Sequence, residues 1–216
     1  MTVGMIVSQL AGGMLVSIQI FVVTLIFSLP LGMVVAFGRM SGNPVIRGGV
    51  KAYISVMRGT PLMLQLMVVY FGPFFLFGVR VGNGYRLWAA LIGFVINYAA
   101  YFAEIYRGGI QSMPAGQYEA AQLLGYGKGQ AFFKIILPQV AKRILPSVTN
   151  EVITLVKDTS LAFTISVAEM FTTAKALASS QASMMPFVAA GLFYYIFNLV
   201  VAMAMEYAEK KMSYYQ

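Results

Sequence analysis

Glu151 and Asp158 stand seven residues apart in a stretch whose other members are mostly apolar. At 3.6 residues per turn they fall within about 20° of each other on one helical face and ~10 Å apart along its axis. Thr154 lies near the same face. Two carboxylates so placed can hold a cation. A second polar stripe, Asn97, Tyr101 and Glu104, recurs at intervals of four and three residues. Arg58 precedes Gly59-Thr60-Pro61 inside another apolar run, where proline removes a helix hydrogen bond and glycine loosens the backbone. A helix broken there presents a positive N-terminal end, reinforced by Arg58, to an anion. The simpler alternative is a proline kink with Arg58 reaching the aqueous boundary.

Each of the other groups also has a structural alternative. Asp158 adjoins Lys157, Glu104 lies one turn from Arg107, and Asn97 can bridge two helices. Glu151 has no cation within a turn of its own helix, which leaves a positively charged ligand as its expected partner. A pocket sharing Glu151, Asp158, Asn97, Thr154 and Arg58 suits a molecule that carries both signs of charge, such as arginine, lysine or histidine.

Several kinds of chemistry are excluded. Cysteine and histidine are both absent, which removes thiolate metal sites, a cysteine nucleophile, the commonest metal ligand and the usual general base. No Gly-x-x-x-x-Gly-Lys-Ser/Thr loop occurs, so the chain carries no phosphate cradle of its own. A catalytic role is not expected, and neither is a metal or a cofactor on this chain.

The elements that must position these groups are membrane spans. Hydrophobic residues make up 59% of the 216 positions and charged residues 10%, and the mean hydropathy is +0.77, far from soluble averages. A helical span needs ~20 mainly apolar residues to cross a core of ~30 Å. Five runs qualify, at 14–37, 50–77, 87–106, 144–171 and 186–207. The fourth is the most polar, with Asn150, Glu151, Thr154, Lys157 and Asp158 in its first half, and such groups belong in a bundle interior or a wet cavity. The first nine residues carry no Lys or Arg, unlike a cleavable signal peptide, so the first run is expected to be a retained span.

Basic residues outnumber acidic ones by 15 to 7, and their placement favours the membrane surface over nucleic acid as the reason. Arg39, Arg47, Lys51, Arg107, Lys128, Lys134, Lys142, Arg143, Lys210 and Lys211 fall in loops on one side; only Arg80, Arg86 and Lys175 fall on the other. The positive-inside rule makes the first side cytoplasmic. The expected fold is therefore all-α and polytopic: one transmembrane domain over residues 1–216 with five helices, the N-terminus outside and the C-terminus in the cytoplasm.

The largest cytoplasmic loop, about residues 108–143, is the one part built to be read by a soluble partner. Pro114 and Gly116 break the preceding helix, and residues 117–124 form a helix closed by Gly125 and Gly127. A second, amphipathic helix is expected over 128–136, ending at Pro138.

Within this loop Glu119-Ala120-Ala121, then Gly125, then Ile136-Leu137-Pro138 resemble the "EAA" loop of permease subunits in bacterial ATP-binding-cassette (ABC) importers. Arg58-Gly59-Thr60-Pro61-Leu62, Gln65-Leu66, Tyr70-Phe71-Gly72, the run Ala103-Glu104-Ile105-Tyr106-Arg107-Gly108-Gly109-Ile110 and Lys157-Asp158-Thr159-Ser160-Leu161 extend the likeness to permeases for polar amino acids. The resemblance implies a type I importer permease fold in a bacterial cytoplasmic membrane. It implies import of an amino acid, basic amino acids first and glutamine, glutamate or another polar amino acid as the alternative. It implies two cytoplasmic ATPases holding the ATP and magnesium, a second permease chain in a homodimer, and an extracytoplasmic amino-acid-binding protein. Ala120, Ala121 and Gly125 would then be small so that the loop helix seats in a cleft of the ATPase, with Glu119 making a polar contact. A rival class, an ion-coupled secondary transporter using Glu151 and Asp158 to carry protons or cations, predicts uptake that survives ATP depletion.

Overall fold

In a computed structural model describing residues 3–82 and 84–212, every element of secondary structure is helical. Helix α1 (Val3–Arg39) packs along α4 (Tyr85–Gln111) over much of its length, and α8 (Met170–Gln181) also lies against it. Small residues make this approach possible. A Cβ on Gly32 would stand 2.8 Å from the Cβ of Phe102 and 3.1 Å from the Ala99 carbonyl oxygen; one on Gly13 would stand 2.8 Å from the Cα of Met170. Lipid tails are as apolar as leucine, so helices in a membrane associate through close packing of this kind. The opposing face of α4 is alanine-rich, with Ala89, Ala90, Ala99, Ala100 and Ala103 fully buried.

α1, α4 and α9 (Met185–Met212) are each long and apolar enough to cross a membrane. The expected runs at 14–37, 87–106 and 186–207 lie inside them. The other two runs are not single helices, though each is a bent pair that can make one span. Residues 50–77 divide into α2 (Pro44–Gly59) and α3 (Leu62–Phe77), bent by 111°. Asn43 caps α2, its side-chain oxygen accepting from the Val45 amide at 2.9 Å, and Pro44 occupies the first turn. Thr60 precedes proline and is extended (φ −122°, ψ 148°), as the proline ring requires, so the helix stops there. α2 carries Arg47, Lys51 and Arg58 beside the buried Ile54, the pattern of a helix with one wet face, whereas α3 carries no charged residue.

The run at 144–171 is broken as well. α7 (Leu137–Asp158) passes through a 3₁₀ stretch (Thr159–Ile165) into a turn with Ser166 in the left-handed region, and the chain bends by 58° into α8. Counting each bent pair as one span gives five; counting straight helices gives three.

The connecting loop forms α5 (Ala115–Leu123), closed by Gly125 at φ +81°. The Gly125 amide donates to the Gln122 carbonyl and the Tyr126 amide to the Ala121 carbonyl, a Schellman closure that needs a left-handed residue. The short α6 (Lys128–Ala131) does not stop at Pro138 as expected. A π-helical turn (Phe132–Ile136) carries the chain straight into α7, the Leu137 amide donating to the Phe132 carbonyl. Widening the turn just ahead of Pro138 relieves both faults of an interior proline, its missing N–H and its ring's collision with the carbonyl four residues back.

Substituting Gly32 by leucine should lower the thermal unfolding midpoint of the purified protein, corresponding to about 1–3 kcal/mol for overpacking. Gly12→Ala, where an added Cβ meets nothing within 4 Å, should leave the midpoint unchanged or raise it.

Candidate functional site

The break between α2 and α3 brings the end of α2 against α4, and α7 packs on the same helix. Arg58, in the last turn of α2, sets its guanidinium carbon 5.3 Å from the centre of the Tyr101 ring and one nitrogen 4.0 Å from a Glu104 oxygen. Tyr98, one turn away on α4, is 2% exposed and donates its hydroxyl to Asp158 Oδ2 at 2.7 Å. Glu151 is half-buried and makes no hydrogen bond or ion pair among the described residues; Arg58, Asp158 and Tyr98 are within electrostatic reach of it. One face of α7 therefore presents two carboxylates toward a cation on α2, across a pair of tyrosines whose rings lie 6.1 Å apart.

The remaining residues named from the sequence take other places. Asn97 is buried and faces the break: its side-chain amide donates to the Met57 carbonyl at 3.1 Å and to Gln65 Oε1 at 2.9 Å. Gln65 in turn donates to the carbonyls of Met57 and Thr60. Together they satisfy carbonyls that the end of α2 leaves without helical partners. Asn97 is thus a bridge between helices. The Thr154 hydroxyl donates to its own helix, at the Asn150 carbonyl, and is exposed. Glu104 belongs to a charge cluster, bonded to Arg107 at 2.6 Å and lying 4.0 Å from both Arg39 and Arg58.

Two features were missed in the sequence. Tyr98 adjoins Asn97 yet points to the opposite partner, a difference of one helical position that no spacing rule singles out. Glu169 is fully buried without a cation. It caps α8, accepting from the amides of Phe171 and Thr172, the Thr172 hydroxyl and, at 3.1 Å, the Tyr194 hydroxyl of α9. No group of side chains suited to a metal occurs among the described residues.

On α5, Glu119, Ala120 and Gly125 are exposed, whereas Ala121 is 1% exposed and packs against the chain itself. Leu123 and Leu124, at the end of the same helix, are 89% and 76% exposed. These leucines were not singled out in the sequence, because leucine in a membrane protein carries no signal until its surroundings are known.

Residues 28–214 match the model of a family described as "Binding-protein-dependent transport system inner membrane component". The chain is 36% identical over 201 residues to the arginine transport system permease protein ArtQ of Bacillus subtilis (strain 168), covering 93% of this chain and 90% of that protein. It is 40% identical over 189 residues to the octopine transport system permease protein OccM of Rhizobium radiobacter, covering 82% and 76%. It is 35% identical over 213 residues to the L-cystine transport system permease protein TcyL of Bacillus subtilis (strain 168), covering 97% and 89%. A crystal structure of an amino acid ABC transporter with histidines superposes with a TM-score of 0.86 at 29% identity, covering 98% of this chain and all of that one.

Replacing Asn97 by alanine takes the donor from Gln65 Oε1 and leaves the Met57 carbonyl with Gln65 Nε2 alone, so unfolding should become easier by about 1–3 kcal/mol. Thr154→Ala should be neutral in the same thermal measurement. Equal losses in the two variants would show that the bridge across the break is not what Asn97 supplies.

Proposed function

From the premise that this chain belongs to the binding-protein-dependent transport system inner membrane components, we propose that it is the permease of an ATP-driven importer of basic amino acids. Such subunits are not catalytic, and a separate ATPase hydrolyses the ATP. Support for the amino-acid substrate comes from relatives named for arginine, octopine and L-cystine transport. The observation that carries the basic-substrate reading is the pairing of Glu151 and Asp158 on one side with Arg58 on the other. A substrate ammonium or guanidinium would neutralise Glu151, and its α-carboxylate would lie toward Arg58 and Tyr101. With Asp158 held by Tyr98, Glu151 is the one of the two without a hydrogen-bond or ion-pair partner among the described residues. The L-cystine relative favours a second reading, in which the two ends of a polar zwitterion are held in the same places and Glu151 is structural.

The remaining parts follow from that reading. Two copies of the chain stand side by side about a two-fold axis along the membrane normal, with five spans each, the two bent pairs counting as one span apiece. The N-terminus lies outside and the connecting loop and C-terminus lie in the cytoplasm of a bacterial cell. An extracytoplasmic binding protein delivers the amino acid. α5 seats on the ATPase, which holds ATP and magnesium, through Glu119, Ala120 and the exposed Leu123 and Leu124. Ala121 and Gly125 shape that helix from within, one by packing inward and the other by closing its end. When the ATPases close on ATP, the two permeases rock as rigid bodies around a midplane site.

Two measurements test this. In the assembled importer, ATP hydrolysis should rise with arginine, and Glu151→Gln should increase the half-maximal arginine concentration at least ~30-fold, since removing one partner of a buried charge pair costs ~2–5 kcal/mol. An unchanged response, or stimulation by glutamine alone, would move the reading to the polar-zwitterion alternative. Leu123→Asp together with Leu124→Asp should abolish co-purification of the ATPase without shifting the permease's own unfolding midpoint.

A further inference from the structure

Where the ends of α4 and α9 meet the start of α7, a groove of about 1180 Å³ opens between an apolar wall that includes Met113, Pro138 and Met212 and a charged edge of Lys142, Arg143 and Lys211. Among the described residues, no acidic side chain lines it. Arg143 is partly committed, donating to the Ser112 carbonyl at 2.8 Å. Lys142 and Lys211 make no hydrogen bond or ion pair among the described residues. The acids nearest in sequence are taken: Glu206 pairs with Lys210 at 2.7 Å, and Glu209 accepts from Thr149.

This combination narrows the occupant. An inorganic anion would answer the lysines and leave the apolar wall wet, while an apolar helix would cover the wall and strand three cations. The volume is also larger than most small-molecule sites, which run to ~1,000 Å³. An amphiphile with a phosphate at one end satisfies both halves, and basic pockets between helices at the cytoplasmic boundary are suited to anionic headgroups. We propose that the groove binds an anionic phospholipid, its phosphodiester on Lys142 and Lys211 and its first acyl carbons along the methionine and proline wall. The cytoplasmic placement rests on the orientation given under Proposed function; nothing in it depends on the transported amino acid. Such a lipid would fasten the start of α7 to the end of α9 beside the loop that meets the ATPase.

The test uses the assembled importer in detergent, titrated with phosphatidylglycerol and read by native mass spectrometry and by the unfolding midpoint. Phosphatidylglycerol should be retained and raise the midpoint, and Lys142→Gln with Lys211→Gln should weaken retention by about tenfold or more. The paired Lys→Arg variant should restore it. Equal stabilisation by phosphatidylcholine of the same chains, a full shift from inorganic phosphate alone, or undiminished retention in the glutamine variant would each overturn the proposal. So would a glutamine variant that keeps the lipid but loses the ATPase, which would assign the groove to that partner. Neither readout involves arginine, so failure of the substrate reading and failure of the lipid site are separately visible.

Discussion

A helix interrupted in a hydrocarbon environment exposes carbonyls that no water can reach, and each must find a donor within the protein. This chain interrupts its helices twice, and the arrangement of everything else follows from how those carbonyls and amides are answered. At Thr60–Pro61 the end of α2 is held by Gln65 and Asn97, which reach the Met57 and Thr60 carbonyls from α3 and α4. At the second interruption the α8 amides are answered by the buried carboxylate of Glu169. That carboxylate needs no cation, because five donors, the Ser17 hydroxyl among them, and the positive end of a helix surround it. Both repairs tie together elements distant in sequence, α4 in one case and α9 in the other. The interruptions are consequently rigid corners.

The first corner places Arg58 where it is. Had α2 and α3 formed one straight span, Arg58 would have sat within an apolar helix with no acid on its own turn. Bent by 111°, the end of α2 meets α4, and Arg58 joins Arg39 and Arg107 around Glu104. One carboxylate among three guanidiniums leaves positive charge uncompensated on that side. Across from it stand Glu151 and Asp158, so the interior is polarised between α2 and α7, with tyrosines as its neutral middle. The basic-substrate proposal rests on that gradient.

Much of this was legible beforehand, and the exceptions share a cause. The apolar runs inside α1, α4 and α9 were read correctly because hydropathy alone decides them. The shared face of Glu151 and Asp158 followed from helical geometry, and the Glu104–Arg107 pair from their spacing. In the runs at 50–77 and 144–171 hydropathy marks a span and averages over the corner inside it. Only at Thr60, extended ahead of its proline, does the local sequence declare one. Asn97 carried two readings, pocket and bridge between helices, because polar spacing does not distinguish a side chain that faces a cavity from one that faces stranded carbonyls; its hydrogen bonds are those of the bridge. Leu123 and Leu124 were invisible for the converse reason, since exposure is a property of the fold.

The π turn at Phe132–Ile136 bears on how a push on the loop reaches the site. A helix ending at Pro138, as the sequence suggested, would hinge there, and motion of α5 would be lost in the joint. Instead the chain is helical without a break from Lys128 through Ile165, with Pro146 inside α7, and at ~1.5 Å per residue the stretch from Lys128 to Asp158 spans roughly 45 Å. α5 packs against the near end of that stretch, and Glu151 and Asp158 occupy the far end. Packed helices shift between discrete arrangements more readily than they deform. In the rigid-body rocking proposed for the permease pair, a displacement of α5 would therefore carry α7 together with the corner where Asn97 and Gln65 hold the end of α2, so that Glu151, Asp158 and Arg58 of one chain would move as a unit.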